Sequence, residues 1–534
     1  MIIEVNKQDL LQLIGKQLAD DELEKILFNL KCEVEMKDDG IINCEINPDR
    51  LDMVSVEGIA RAIKAYLGLP LKKYEITESK FSITGSSEVR PVFVAAVIEG
   101  VRMTDEMVKT LMQIQEKLHA SIGRDRKKVA IGVHDMDTIK GKIEYKDVDD
   151  ISFIPLQETR EMNVKQILNE HPKGVAYAHL LDNKYPVFVD EVGVMSFPPI
   201  INSERTKVTE NTKNIFIDVT GTDQKAVEHA LNILLCNVAE RIGRIKSVKV
   251  NRDKFPSLEE KSLVLSKEEV NELIGLELEN EDIKKLLEKM LYRVTVKGNR
   301  ITVYVPAYRA DVLHPVDLIE DVAIAYGYEN IDPVLPDLAT VGKMTKKETL
   351  TRKVREMMIG FGFNEFLNFV LSSKENNFDK MLVGGESVEI VNPVSSEYNI
   401  CRTWLVPSLL GVLSKNLHVE YPQKAFEVGD IVVLDEKQET RTRTVRGLAG
   451  VISHDNANLT EIKSITEGVL NELGIKYDIK SISHPSFIAT RCGEIFSNGK
   501  SIGFFGEIHP RVLNLWKLER SVIAFEISLE DIYK

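Results

Sequence analysis

The chain has 534 residues, 43% hydrophobic and 28% charged, a balance typical of a globular protein with room for three or four domains. A formal net charge of −14 excludes binding to nucleic acid by bulk electrostatics, so any RNA contact must be local or shared with a more basic partner. No apolar run approaches a membrane span, and the five cysteines (Cys32, Cys44, Cys236, Cys401, Cys492) form no CxxC pair, which argues against a zinc site or disulfide framework and fits a reducing cytoplasm.

The first residues read as a strand and lack the basic and apolar regions of a signal peptide. Residues 1–75 follow a strand, helix, strand, helix pattern. The polar stretch 77–80 and Gly85-Ser86-Ser87 read as a linker. Residues 90–250 mix strands (92–98, 186–189) with helices expected over 107–119 and 224–242 from the spacing of apolar residues. A second linker is expected over 251–260, followed by a module at 260–332 and a proline-containing connector at 332–336. The last block, 345–534, opens with the end of a lysine-rich run (343–347). It continues with a helix over 350–359 that Gly360 and Gly362 stop, and strands over 365–371, 426–433 and 503–510. The whole reads as an α+β multidomain chain.

The most informative feature is an internal repeat. Residues 6–15 and 266–275 match at an offset of 260 (Gly15 to Gly275), with Leu18, Leu23, Ile26 and Leu27 in register with Leu278, Ile283, Leu286 and Leu287. After a one-residue slip, Arg50, Asp52 and Gly68 match Arg309, Asp311 and Gly327. The copies then part: where the second has Asp317, Glu320 and Asp321, the first has Gly58, Arg61 and Ala62. Pro315 marks a helix start, and residues three and four apart share a helix face. The three acids are therefore expected to converge, with Asp311 close by and Leu318, Ile319 and Val322 facing inward. Crowded carboxylates repel unless a cation neutralises them, and oxygen ligands suit Mg²⁺. The plainer reading is that they complement the helix dipole.

Other motifs exclude more than they assign. There is no GxxxxGK[ST] and no GxGxxG opening a helix. His134-Asp135 has the composition of a catalytic pair, though a histidine closing a strand is more often structural. Ser196 lacks a nucleophile-elbow context. Two basic patches, 124–128 and 241–254, read as solvated surface.

Several longer strings, in order, resemble the β subunits of phenylalanyl-tRNA synthetases in their shorter archaeal and eukaryotic form: 189–191 leading to 196–203, 217–223, 310–312 through 320–321, 392–397 and 506–510. The resemblance covers essentially the whole chain. It implies related small domains at 1–75 and 260–332, an editing domain at 90–250, and a class II synthetase-like antiparallel core at 345–534 that has lost its active site. Consistent with that loss, residues 426–429 have no adjacent arginine and no glycine-rich strand ending in arginine follows. It further implies an α₂β₂ assembly with an α subunit that attaches phenylalanine to tRNA(Phe) using ATP, with Mg²⁺ shared with the α subunit at Asp311, Asp317, Glu320 and Asp321. The editing domain would hydrolyse Tyr-tRNA, with Ser196, Asp218 and Thr220 lining its pocket. For Asp218 and Thr220 the alternative is a turn role. Two rival functions are a non-enzymatic RNA-binding scaffold and a free-standing hydrolase of mischarged tRNA.

Overall fold

The computed structural model describes residues 1–37, 39–241, 243–338 and 340–533. The chain divides into two compact units, residues 1–335 and 336–534. No helix among the described residues is long and apolar enough to cross a membrane.

The repeat is structural. Asn6 caps the helix Lys7–Ile14 by accepting from the Asp9 N–H, and Gly15 ends it with φ 76°; Ser266 caps Lys267–Ile274 through the Glu269 N–H, and Gly275 ends it with φ 78°. Only glycine takes that left-handed closure without strain, which is why both copies keep it. Each copy then has a second helix (Asp20–Asn29; Asn280–Lys289), a hairpin (Glu33–Met36 with Ile41–Glu45; Arg293–Lys297 with Arg300–Val305) and a last helix (Val56–Tyr66; Pro315–Tyr326). In each, the first strand pairs antiparallel with the second hairpin strand, giving the same three-stranded order.

Between the copies lies a ten-stranded sheet. Its main path runs Ile201–Asn202, Val194–Phe197, Tyr185–Val189, Ile143–Val148, Ile76–Gly85, Arg244–Val250, Val92–Glu99, Asn214–Gly221, Val129–Asp135. The two ends of that path come together: Asn202 Nδ2 donates to Val133 O at 3.3 Å. Strand periodicity divides the side chains between two cores. Val94, Ala96, Ile98, Ile217 and Val219 pack outward against the helix Gln224–Arg241, while Phe93, Ala95, Val97 and Phe216 pack inward with Tyr145 and Phe188. The last residue of the helix expected over 224–242 lies outside the described residues. Both expected linkers contribute strands: 77–80 lies within Ile76–Gly85, and 251–260 contains Asp253–Phe255. Their exposed faces are polar, so composition alone disguised them.

The second unit is a seven-stranded sheet ordered Asn364–Glu365, Gln423–Leu434, Thr442–Ser453, Val522–Ser528, Lys500–Ile508, Phe487–Ser497, Asp478–Ser481, antiparallel except for its first pair. Helices Lys346–Gly360 and Leu459–Glu472 cover one face, and Val406–Lys415 and Pro510–Leu515 the other. The strand expected over 365–371 is two short ones, Asn364–Glu365 and Leu371–Ser372, in different sheets. Leu367 and Phe369 between them are 85% and 74% exposed, so this apolar run is not core.

Candidate functional site

Where the two ends of the ten-stranded path meet, a cavity of about 190 Å³ opens. Apolar walls come from Val108, Leu111 and Met112 on the helix Asp105–Ala120 and from Ile131, Phe197 and Pro198; Ser196, Asn202 and Asp218 supply polar groups. An apolar cavity of roughly 150 Å³ takes up benzene, so this one has room for a phenol-sized ring.

Asp218 is mid-strand in Asn214–Gly221 and fully buried, so it is no turn residue. Its Oδ2 lies 2.7 Å from His134 Nε2, and His134 Nδ1 lies 2.8 Å from Thr206 Oγ1. With Nε2–H donating to the carboxylate and the threonine hydroxyl donating to Nδ1, each short contact is satisfied once. Asp218 Oδ1 is buried with no hydrogen-bond partner, a costly state for a carboxylate oxygen unless a ligand donates to it. Ser196 Oγ donates to Asn202 Oδ1 at 3.3 Å. Thr220, next to the end of the strand and on the same face, is also buried, but it does not line the cavity. Its hydroxyl accepts from Arg90 Nε at 3.0 Å and its carbonyl from Arg90 Nη2 at 2.8 Å, which is a packing role.

The cavity mouth is charged. Arg126 is buried, with Nη1 donating to Pro199 O at 3.2 Å and Ile200 O at 2.9 Å, and Nη2 to Glu116 Oε1 at 2.9 Å. It therefore ties the strand-end segment 198–200 to the cavity helix. His119 and Arg126 hold the Glu116 carboxyl down at about 2, outweighing the partial burial of Glu116 that pulls it up. In the basic patch 124–128, then, Arg126 is a structural clamp rather than solvated surface.

The second candidate, the carboxylate face, departs from expectation. Arg309 draws two of the acids inward: it donates to Asp311 Oδ2 at 2.7 Å and to Asp321 Oδ2 at 2.6 Å. Asp321 also accepts from the Tyr292 hydroxyl. Burial works to depress the Arg309 guanidinium, but Asp321, Tyr292 and Asp311 hold it well above its usual value. Asp317 accepts from the Leu313 and His314 N–H groups at 2.7 Å each, capping the helix Pro315–Tyr326. Glu320 is exposed and pairs with Lys31 of the first copy at 2.7 Å. The expected convergence does not form, because Asp321 lies on the buried stripe with Leu318 and Val322, where a buried arginine outcompetes its neighbours. The oxygen donor set suits Mg²⁺, but its arrangement does not fit a common ion: among the described residues no group of three or more His, Cys, Asp or Glu side chains is placed to hold one.

The sister copy turns the same position to another use. Arg61, standing where Glu320 stands, donates to Asp52 O at 3.1 Å and Asn237 Oδ1 at 2.9 Å and lies 4.0 Å over the Tyr308 ring, joining both copies to the helix Gln224–Arg241. The sequence pointed to His134 with Asp135, whereas the partner is Asp218, 84 residues away. Asp135 instead accepts from Thr212 at 2.6 Å. No local pattern signals a pairing across strands; the closest hint was His134 ending an apolar run.

Three family models match in sequence: the B3/4 domain over residues 90–237, the tRNA synthetase B5 domain over 263–328 and the phenylalanyl tRNA synthetase beta chain CLM domain over 331–529. The chain is 42% identical over 545 residues to the phenylalanine–tRNA ligase beta subunit of Methanocaldococcus jannaschii, covering 99% of this chain and 100% of that one. It is 43% identical over 552 residues to the beta subunit of Pyrococcus furiosus, covering 99% of each. A crystal structure of an N-terminal fragment of the Pyrococcus horikoshii phenylalanyl-tRNA synthetase beta subunit superimposes with a TM-score of 0.58 at 39% identity, covering 61% of this chain and 100% of the fragment. The chain belongs to the family of phenylalanine–tRNA ligase β subunits.

Proposed function

We propose that this chain acts in the cytoplasm in an α₂β₂ assembly that attaches phenylalanine to tRNA(Phe) with ATP and Mg²⁺, and that its own reaction is hydrolysis of Tyr-tRNA(Phe). The observation that carries the editing reading is Asp218: a buried carboxylate with one unpartnered oxygen, lining a ring-sized cavity. Tyrosine differs from phenylalanine by one hydroxyl, and an apolar synthetic pocket rejects an added hydroxyl by only about a hundredfold. A site that hydrogen-bonds the hydroxyl discriminates far better, on the order of 10⁴ or more, because the ligand lacking it leaves the site's polar group unpaired. Asp218 Oδ1 accepts the phenol O–H, His134 holds Oδ2, and the ester is presented toward the mouth to water. Ser196 and Asn202 give the wall a polar side; Thr220 acts through Arg90.

The second unit supports a division of labour with the α subunit. Both faces of its sheet are covered by helices, and the face under Val406–Lys415 buries acids rather than phosphate-binding arginines. Glu526 accepts from the Leu405 and Val406 N–H groups at 2.9 and 3.0 Å. Arg402, the buried arginine there, is spent on Glu427 at 2.7 Å and Asp430 O at 3.0 Å. That arrangement favours a degenerate class II-like core serving as scaffold, with the synthetic site on the α subunit. For the shared Mg²⁺, the solvent-facing members are Asp317 and Glu320; the ion would need Glu320 released from Lys31, and Asp311 and Asp321 would contribute only by yielding Arg309.

The test is Tyr-tRNA accumulation by the α–β complex. Asp218→Ala is expected to leave Phe-tRNA formation within about twofold while Tyr-tRNA builds up. Clearance at the parental rate rules out Asp218 as the reader of the hydroxyl.

A further inference from the structure

The mouth of the cavity carries a lysine held by one loose ion pair. Lys173, in the short helix Pro172–Tyr177, lines the cavity. The one carboxylate within 4.0 Å among the described residues is Glu116, at 3.8 Å, beyond hydrogen-bond reach. Glu116 Oε1 is already bound by Arg126 at 2.9 Å. Burial and the neighbouring Arg126 guanidinium push the Lys173 ammonium down from its usual value, and the pull of Glu116 in the other direction offsets them only in part. Lys173 is exposed, and a cation beside another cation, with its one nearby carboxylate too distant for a hydrogen bond, lowers its free energy by meeting a further anion. The other lysine that lines the cavity, Lys207, differs: it pairs with Glu204 at 3.1 Å.

We propose that Lys173 contacts the phosphate of the terminal nucleotide of the RNA whose aminoacyl ester enters the cavity. This inference rests on the editing reading above. An ester that places its phenol on Asp218 brings its ribose to the mouth, and the phosphodiester is the one anionic group that an aminoacyl-RNA carries there. Arg126, engaged on three sides, is a positioning residue: it fixes segment 198–200 and Glu116 and adds positive potential without contacting the ligand. Lys173 then supplies binding to the RNA end without reading its sequence.

The experiment measures Tyr-tRNA hydrolysis by the full α–β complex over a range of salt concentrations. Lys173→Ala is expected to raise KM roughly tenfold with little change in kcat, and to make the dependence of log KM on log salt shallower by about 0.7, the loss of one single-strand phosphate contact. Lys173→Arg keeps the charge and is expected to restore both. Lys165→Ala, which removes an exposed lysine from the neighbouring helix Val164–Glu170, is expected to change neither. If the parent complex clears Tyr-tRNA but Lys173→Ala keeps the parental KM and salt slope, the phosphate contact is refuted while the editing reading stands. A fall in kcat alone, with no change in slope, refutes it equally by making Lys173 structural. If the parent complex does not clear Tyr-tRNA, the editing reading fails and this inference with it.

Discussion

Gly132 and Asp218 face each other across neighbouring antiparallel strands, and the missing side chain at 132 is what leaves the carboxylate its place. A Cβ on residue 132 would stand 2.8 Å from His134 Nε2 and closer still to Asp218 Oδ2. Its backbone is ordinary strand, so the glycine is there for space rather than for φ.

Gly132→Ala is therefore expected to push the Asp218 carboxylate off its histidine and into the cavity, cutting Tyr-tRNA clearance by at least an order of magnitude, the loss of one charge-assisted hydrogen bond. Phe-tRNA formation should be unaffected. Clearance assays on the α–β complex decide it; parental clearance by the alanine variant refutes the claim that 132 must stay empty.

The proposed scaffold role of the second unit makes a second prediction. With Arg402 locked to Glu427 and both sheet faces covered, the purified single chain is expected to give no phenylalanine-dependent exchange between ATP and pyrophosphate. Adding the α subunit should restore it. Robust exchange by the chain alone would overturn the scaffold reading.

The local grammar of this fold was readable before the structure. Asn6, Gly15, Ser266 and Gly275 are caps whose chemistry acts within one turn, so a repeat of capping residues announced a repeat of helices. Long-range charge pairing was not readable. Asp321 has the spacing of an exposed acid, and only the fold reveals that Arg309 and Tyr292 wait on its inner side. The same holds for Asp218, whose meaning depends on a histidine from another strand, and for Arg126, which looked like one residue of a solvated patch. Ile76–Gly85 escaped notice because the strand exposes most of one face and reads as a polar linker.

Glu526 gives a pH prediction. Burial pushes its carboxyl up to about 7 from the usual 4.5, against the opposing pull of the Val406 and Leu405 N–H groups and Arg402. The unfolded chain thus ionises this group before the folded one does. Its effect on stability is neutral below about pH 4.5, grows more unfavourable up to about pH 7 and is constant above, with a full size of roughly 3 kcal/mol. Glu526→Gln keeps an acceptor for the two N–H groups and removes the charge. It is expected to match the parent at pH 4.5 and to exceed it at pH 8, as read from urea midpoints for the second unit. A variant less stable than the parent at pH 8 would show that the ionised carboxylate is favourable there.

The carboxylate face yields the last prediction, because Lys31 already holds Glu320, the exposed acid that a Mg²⁺ ion would need. Lys31 is held on Glu320 at 2.7 Å, and its ammonium is raised from its usual value, Glu320 and Asp49 outweighing the burial that opposes them. As a plain surface pair this contact contributes about 0–1 kcal/mol. Under that reading neither Lys31→Met nor Glu320→Gln changes how α–β assembly responds to Mg²⁺. Under the ion reading the two substitutions act in opposite directions. Lys31→Met frees Glu320 and lowers the Mg²⁺ concentration needed for assembly, while Glu320→Gln removes a negative ligand and raises it. Asp321→Asn separates stability from metal affinity, since it takes away one of the two carboxylates that neutralise the buried Arg309 and should cost roughly 3 kcal/mol whether or not an ion binds. Mg²⁺ titrations of assembly on the parent and the Lys31 and Glu320 variants decide between the readings. Three superimposable curves would leave Glu320 as the partner of Lys31 and nothing more.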